Sequence, residues 1–194
     1  MVALPKSRMT VKQFLNWWET VGGDERFELI DGQVFAMGRD RVSHNRAKLR
    51  AANALSSAIN AAGLDCEAFI DGMGVTGDDF NFRIPDAVVQ CGRVDPQATT
   101  LDKPVIIVEV VSPTSEERDV HAKLHDYFSV LTLHHYLIVY VERGYLVHHS
   151  RIGHGDAIQT KFVNTGPLSL HPPGLTIDVS ALLGETSMRQ NLEN

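Results

Sequence analysis

The chain has 194 residues, 43% of them hydrophobic, and its 18 basic and 24 acidic residues give a net charge of -6. This length predicts one domain spanning residues 1–194, and the composition is that of a chain with a core. The charge excludes a protein that coats nucleic acid through bulk positive charge, although an enzyme contacting a few phosphates in a cleft stays compatible with it. The first residues lack the apolar stretch of a signal peptide, and no segment approaches the ~20 apolar residues of a membrane helix. We therefore expect a cytoplasmic protein with no membrane partner.

Capping and turn signals define the elements of the first half of the chain. In chain order, they predict a helix opened by a Thr10–Gln13 capping box, a hairpin around Asp31-Gly32, a long helix from Ser43 to about Ala62, and short strands from Cys66 to Cys91. The two cysteines, Cys66 and Cys91, are far apart and match no metal-binding spacing, so we expect them to be reduced, partly buried thiols.

The second half begins with a polar connection, residues 92–103, in which we expect no regular structure. A buried strand PVIIVEVVS, a helix with a capping box at Thr114 and Glu117, a hairpin around Glu142-Arg143-Gly144 and a late strand follow. From about residue 184 the chain is a polar tail. Helices and hairpins in this order predict an α/β (α+β) domain with a mixed sheet.

Two acidic residues lie where carboxylates are costly. Glu109 is in the middle of the most hydrophobic run, and Asp86 follows Pro85 at the start of the apolar run AVV. If the two strands pair, both carboxylates point into one pocket and offer the oxygen ligands that Mg²⁺ prefers. Two other interpretations stay open: Asp86 as an ordinary strand-start acid, and Glu109 as half of a structural ion pair.

Lys123 and His44 are the basic candidates for the same site. Lys123 lies on the helix after Glu109, beside Tyr127 at the margin of the apolar face, so its ammonium reaches either Glu109 or, as a surface pair, Asp119. His44, at the start of the long helix, faces either a cleft or solvent.

Histidine spacing suggests a rival zinc site. His121 and His125 are four residues apart, as ligands on a helix can be, but no glutamate of an H-E-x-x-H motif and no third ligand accompany them. Surface histidines are the better interpretation.

Five motifs in a fixed order resemble a known family. They are ELIDG at Glu28–Gly32, Ser43-His44, Pro85-Asp86, EVVSP at Glu109–Pro113, and Asp119 with Lys123. Together they resemble the Uma-type family of restriction-endonuclease-like proteins, within the PD-(D/E)XK nuclease superfamily, over residues 10–183. The resemblance implies a restriction endonuclease-like fold, a central mixed β-sheet flanked by helices with the active site at one sheet edge.

The resemblance also implies roles for individual residues. Asp86 and Glu109 match the acids that bind Mg²⁺ or Mn²⁺ in the superfamily. The superfamily places a lysine two residues after the second acid, where this chain has Val111, and Lys123 is then its replacement. Glu28 and His44 match upstream positions that line such sites. The implied activity is metal-dependent hydrolysis of phosphodiester bonds, with DNA as the expected substrate.

A non-catalytic alternative stays open from the sequence. The acidic net charge and the absence of the usual lysine favour a nuclease-fold protein that acts as a binding or assembly module. For an enzyme, we expect a homodimer, because two sites related by two-fold symmetry suit the two strands of a duplex, with the hairpin from His135 to Val147 as a contact surface. Arg83 is the candidate for substrate binding, with Arg46 and Lys48 as weaker ones.

Overall fold

A computed structural model describes residues 3–111, 117–153, 155 and 157–184, with the side chains of residues 117–122 outside that description. Helix α1 (Val11–Val21) begins as predicted, since Thr10 Oγ1 accepts a hydrogen bond from the Gln13 N–H and Gln13 Oε1 accepts one from the Thr10 N–H. These bonds satisfy backbone donors that the first turn leaves without partners. The predicted capping box at Thr114 and Glu117 lies outside the described residues.

The predicted hairpin is found at strands β1 (Phe27–Ile30) and β2 (Gln33–Ala36). Asp31 and Gly32 both have positive φ, 49° and 77°, which matches the twist that a two-residue turn needs. The hairpin packs against α1 around the fully buried Phe14.

The long helix α2 (Val42–Ala62) ends at Gly63, which has the left-handed conformation (φ 62°) and donates its N–H to carbonyls of the last turn. This agrees with the predicted boundary. Small and aliphatic side chains recur along one helix face, which allows the helix to lie close to the sheet. The buried members of that face are Ala47, Ala51, Ala52, Leu55 and Ile59.

The remaining strands form a central six-stranded sheet and two separate two-stranded sheets. The strands are β3 (Cys66–Ile70), β4 (Gly74–Val75), β5 (Ala87–Cys91), β6 (Thr100–Leu101), β7 (Pro104–Val110), β8 (His135–Tyr140), β9 (Tyr145–Arg151), β10 (Ile158–Val163), β11 (Pro167–Leu170) and β12 (Leu175–Asp178). The central sheet has the order β10-β9-β8-β7-β5-β3. Only the β7–β8 pair in it is parallel, and α3 (Glu117–Phe128) connects these two strands. The sheet is therefore mixed, as predicted.

Helices cover both faces of this sheet. On one face, α2 packs with the short helix α4 (Val179–Leu183) and the β11–β12 hairpin, over side chains such as Val89 and Val108. On the other face, Tyr127 and Phe128 of α3 pack over Ile107. Alternating residues of β7 thus enter different cores, and every residue of the strand except the half-buried Val105 is buried, as its β-branched run predicts. No helix in the described part of the chain is long and apolar enough to cross a membrane.

The expectation of two reduced cysteines is wrong. Cys66 on β3 lies directly opposite Cys91 on β5 in the antiparallel register, with the Cα atoms 3.8 Å apart, and the two form a disulfide. The sequence separation of 25 residues concealed this pairing, because sequence spacing alone does not show which strands are neighbours. Two further expectations need correction: the connection at 92–103 contains β6, and β10 was not predicted as a separate strand.

The expected role of the His135–Val147 hairpin as a dimer contact surface is not supported by its position. Strand β8 lies between β7 and β9, and β9 lies between β8 and β10, so the hairpin finds its packing partners within its own chain. Its residues are mostly buried. The homodimer itself stays a prediction.

Candidate active site

The two acidic residues singled out in the sequence lie side by side at one edge of the sheet. Strands β5 and β7 are antiparallel neighbours with Ala87 opposite Val108. Asp86 immediately precedes Ala87 and Glu109 immediately follows Val108, so the two acids occupy the next cross-strand position. Both are more than nine-tenths buried.

Asp86 is held by three donors. Its Oδ2 accepts a hydrogen bond of 2.7 Å from the Val110 N–H, and its Oδ1 lies 3.0 Å from Lys48 Nζ and 3.5 Å from His44 Nε2. Burial alone would raise the pKa of Asp86, but the hydrogen bond with His44, the Lys48 ammonium and the Val110 N–H together lower it. Asp86 is therefore ionised at neutral pH.

Glu109 faces helix α3. Its Oε1 lies 3.1 Å from Lys123 Nζ and accepts a hydrogen bond of 2.5 Å from the Tyr127 hydroxyl. Burial raises the pKa of Glu109 to about 7 against the lowering effect of Lys123, and the negative charges of Asp86 and Glu28 add to the rise. Of the two partners predicted for Lys123, Glu109 is therefore in contact with its amine, and Asp119 lies among the side chains that are not described.

Helix α2 supplies the basic side of the site. His44 Nε2 lies between Asp86 and Asp40, 3.7 Å from the latter, and its hydrogen bond with Asp86 is the main cause of its raised pKa. Lys48 Nζ is 2.7 Å from Asp40 Oδ2 and 3.7 Å from Asp71 Oδ1. Lys48 was considered only as a weak candidate for basic lining, yet it is 1% exposed and bonds directly to Asp86.

Glu28 and Arg83 form a second buried pair beside Glu109. Glu28 Oε1 accepts a hydrogen bond from the Ile84 N–H, and its Oε2 lies 3.3 Å from Arg83 Nη1. Arg83 Nη2 also lies 2.6 Å from Asp126 Oδ2 on α3. The expected substrate-binding role of Arg83 does not fit this arrangement, since a guanidinium that is 1% exposed and bonded to two carboxylates is not directed at a substrate. Arg83 instead joins β1 to α3 behind Glu109.

The other basic and metal-binding candidates lie elsewhere. The side chain of His125 is 89% exposed, and that of His121 lies outside the described side chains. Arg46 is exposed and lines a groove with Asn53 and Asp178.

Several site residues were not found from the sequence. Asp40, Asp71 and Arg26 bond to Lys48 or to each other, and Tyr127 was seen only as part of an apolar face. One signal was available: positions 40, 44 and 48 are spaced by four residues, which places His44 and Lys48 on one face of α2 and Asp40, two residues before the helix begins, next to that face. No comparable spacing relates Arg26 to Asp71.

The carboxylate oxygens at this edge of the sheet are suitable ligands for a hard divalent cation. Among the described residues, no three His, Cys, Asp or Glu side chains form a ready-made metal cage. Asp86 and Glu109 nevertheless offer two carboxylates from adjacent positions, and Mg²⁺ commonly binds through one or two carboxylates, with water and substrate phosphate as its other ligands. Carboxylate oxygens in an otherwise buried site suit Mg²⁺ or Mn²⁺ better than a soft metal.

Comparison with known proteins identifies the family. The sequence model of the family described as "Uma2: Putative restriction endonuclease" matches residues 11–183. The chain belongs to the Uma2 family. The resemblance seen in ELIDG, Pro85-Asp86 and EVVSP is thereby confirmed, and it extends over nearly the whole chain.

Individual relatives agree with this assignment. The uncharacterized protein slr1290 of Synechocystis sp. is 26% identical to this Uma2 chain over 180 residues, which cover 92% of this chain and 93% of that protein. A crystal structure described as "a putative nuclease belonging to DUF820" from Anabaena variabilis superposes with a TM-score of 0.68 at 15% identity, covering 90% of this Uma2 chain and 97% of the other. At this identity the likeness shows the fold, and the predicted restriction endonuclease-like class, a mixed sheet between helices, is confirmed.

Proposed function

We propose that this protein is a Mg²⁺- or Mn²⁺-dependent endonuclease that hydrolyses phosphodiester bonds of DNA. The observation that carries the proposal is the cross-strand placement of Asp86 and Glu109, with Lys123 bonded to Glu109. Membership of a family described as "Putative restriction endonuclease" supports the same class of reaction. The structural likeness adds the fold on which this chemistry would operate.

Asp86 and Glu109 would hold the metal ion, with the backbone carbonyl of Val110 as a further ligand. When bound, a divalent ion lowers the pKa of a coordinated water and neutralises charge that develops on the phosphate. The hydrogen bond from the Val110 N–H fixes the Asp86 carboxylate, so that the orientation of this ligand is set before any ion arrives. The Tyr127 hydroxyl does the same for Glu109.

Lys123 would act on the reacting phosphate. Its ammonium is mostly buried, at 14% side-chain exposure, and is fixed 3.1 Å from Glu109. A positive charge held beside the metal ligands can orient the attacking water or stabilise the transition state without being the base. Placing this group on α3 allows Val111 to occupy the position where the superfamily has its lysine.

Glu28, Arg83 and His44 would position these groups. Glu28 and Arg83 form a buried brace between β1 and α3, so that α3 holds Lys123 at a constant distance from the sheet. His44 contacts Asp86 and is 17% exposed at its side chain, which makes it the histidine best placed to contact a water or a second substrate oxygen.

A non-catalytic role is the competing function. The specific observation in its favour is that both acids are already paired with lysines, Asp86 with Lys48 and Glu109 with Lys123. Such pairs are also what a structural ion-pair network would look like. The two functions differ in whether the protein cleaves nucleic acid when a divalent metal is added.

Cleavage should be assayed on supercoiled plasmid, linear duplex, single-stranded DNA and RNA, with Mg²⁺, Mn²⁺ or EDTA. We expect metal-dependent cleavage of DNA, lost in Asp86→Asn and reduced about 10²–10³-fold in Lys123→Met, the usual effect of removing one transition-state donor. Lys103→Met is the matched control, because its side chain is 69% exposed. Absence of cleavage on all four substrates, or equal effects of Lys123→Met and Lys103→Met, would favour the binding module.

The homodimer and the cytoplasmic location are retained as part of this proposal. Light scattering at micromolar concentration should give about twice the 21.5 kDa chain mass if two copies cut the two strands. A monomer would restrict the activity to nicking or to structured single strands.

A further inference from the structure

Lys48 is a buried ammonium that the reaction described above does not use. It lies on α2 among alanine and leucine side chains, is 1% exposed, and has Asp40 and Asp86 within 3.0 Å and Asp71 at 3.7 Å. Removing an ammonium from water is expensive unless carboxylates surround it. Helix packing alone would be served better by a methionine of similar length, so the charge itself has a purpose at this position.

The ammonium lies on the side of Asp86 that faces away from Val110. Asp86 Oδ2 is turned to the Val110 N–H on β7, and Oδ1 is turned to Lys48 and His44 on α2. In nucleases with two metal ions, the ions lie about 3.5–4 Å apart and share a carboxylate. A second ion bridged by Asp86 would have to bind Oδ1, where Lys48 Nζ already lies at 3.0 Å.

The charge balance of the site agrees with this placement. The bonded and electrostatically coupled network contains six described carboxylates against four ammonium or guanidinium groups, which leaves two negative charges. The carboxylates are Glu28, Asp40, Asp71, Asp86, Glu109 and Asp126, and the cations are Arg26, Lys48, Arg83 and Lys123. With all six of these carboxylates ionised, as metal binding to Glu109 requires, and His44 neutral, one divalent cation balances the described side chains of the site.

We propose that the active site takes a single divalent ion, between Asp86 and Glu109, and that Lys48 is a fixed cation in the place of a second one. The inference rests on the proposed metal-dependent function. Lys48 is a positioning residue: it holds Asp86 Oδ1 and neutralises Asp40 and Asp71, so that these two acids do not recruit metal. The number of metal ions in the site would then be limited to one by Lys48 on helix α2 and not by a residue of the sheet.

The test is a count of bound Mn²⁺ ions per chain, by calorimetry and by electron paramagnetic resonance of free Mn²⁺, without nucleic acid. Ions are attributed to the site if they are lost in Asp86→Asn. We expect one such ion in the wild type, one in Lys48→Arg, which keeps the charge, and two in Lys48→Met. The rate of DNA cleavage should depend on Mn²⁺ with a Hill coefficient near 1 in the wild type and above 1 in Lys48→Met. Lys103→Met is the surface control and should match the wild type.

Two ions in the wild type would overturn the inference while leaving the proposed nuclease function intact. An unchanged count in folded Lys48→Met would also overturn it, because the ammonium would then not exclude an ion. No site-bound ion in the wild type would overturn both the inference and the metal-dependent function. If Lys48→Met does not fold, two ions in the wild type would still overturn the inference, and Lys48→Met combined with Asp40→Asn, which removes one of the carboxylates that Lys48 neutralises, should fold and bind one ion.

Discussion

Replacing Glu109 by glutamine should stabilise the protein at neutral and higher pH while abolishing metal binding. Glutamine has nearly the shape of a protonated glutamate and keeps an oxygen for the Tyr127 hydroxyl, which bonds to Glu109 in the wild type. Burial raises the pKa of Glu109 from 4.5 to about 7. At about 1.4 kcal/mol per pKa unit, this difference corresponds to at most about 3 kcal/mol of unfolding free energy. In the proposed nuclease, this acid is thus kept for metal binding at the expense of stability.

The pH window follows from the direction of this shift. Between pH 4.5 and 7 the folded state binds more protons at Glu109 than the unfolded state does, so the free energy of unfolding falls as pH rises. The stabilising contribution of protonated Glu109 is complete below pH 4.5 and is lost once the pH has risen through 7. The difference between Glu109→Gln and wild type should therefore be small at pH 4.5, grow to pH 7 and level off above it.

Urea denaturation in EDTA at half-unit pH intervals from 4.5 to 8.5 measures this difference directly. Glu67→Gln, an exposed glutamate on strand β3, is the matched control and should differ from wild type by the same small amount at every pH. Adding Mg²⁺ at about 100 times its dissociation constant should raise wild-type stability by about 2.7 kcal/mol and leave Glu109→Gln unchanged. A pH-independent difference between Glu109→Gln and wild type would refute the reasoning.

Three further predictions concern positions away from the site. Burial lowers the pKa of His135 and His148 to about 4, so the folded state favours the neutral form of both. The free energy of unfolding should therefore fall as pH drops from 6.5 to 4, by up to about 3 kcal/mol for each histidine. Urea denaturation should be carried out in the Glu109→Gln variant, because protonation of Glu109 changes stability in the opposite direction over this range. The cross-strand disulfide closes a loop of about 25 residues, so its reduction should lower the free energy of unfolding by about 3 kcal/mol. A thiol assay of the unfolded, unreduced protein should find no free thiol. Gly32→Ala should cost about 1–2 kcal/mol more than Gly92→Ala, since both have positive φ but only at Gly32 would the new Cβ lie 2.9 Å from a backbone carbonyl.

Signals that act over a few residues predicted their elements well. The Thr10–Gln13 capping box, the Asp31-Gly32 turn and the closure of α2 at Gly63 are each found where the sequence placed them. In each case the interacting groups are within five residues of one another, so the local backbone conformation decides the outcome. The same holds for the buried strand β7, whose β-branched run is its own signal.

Features that join distant elements could not be read in the same way. Cys66 meets Cys91 because β3 pairs with β5, and the chain between them carries no mark of that register. The sequence predicts Arg83 as a substrate-binding residue beside Asp86, but it bonds to Glu28 and Asp126, 55 and 43 residues away. A guanidinium group needs an anionic partner, and the sequence does not show whether that partner is a substrate phosphate or a carboxylate from a distant part of the chain.

The acids of the site are easier to predict from the sequence than the cations are, because a buried carboxylate interrupts an otherwise apolar strand. A carboxylate inside a β-branched run, such as Glu109, stands out because its neighbours predict burial and burial demands compensation. Lys48 lies in a helix of alternating alanines, arginines and polar residues, where a lysine is unremarkable, since its long stem can reach water from most positions. Asp40 and Asp71 contact it from connections outside the helix, and only the four-residue spacing of Asp40, His44 and Lys48 gives a sign of this in the sequence. In a site of this kind a sequence therefore reveals the strand-borne acids first, and the buried cation that is paired with them, such as Lys48, emerges only from the fold.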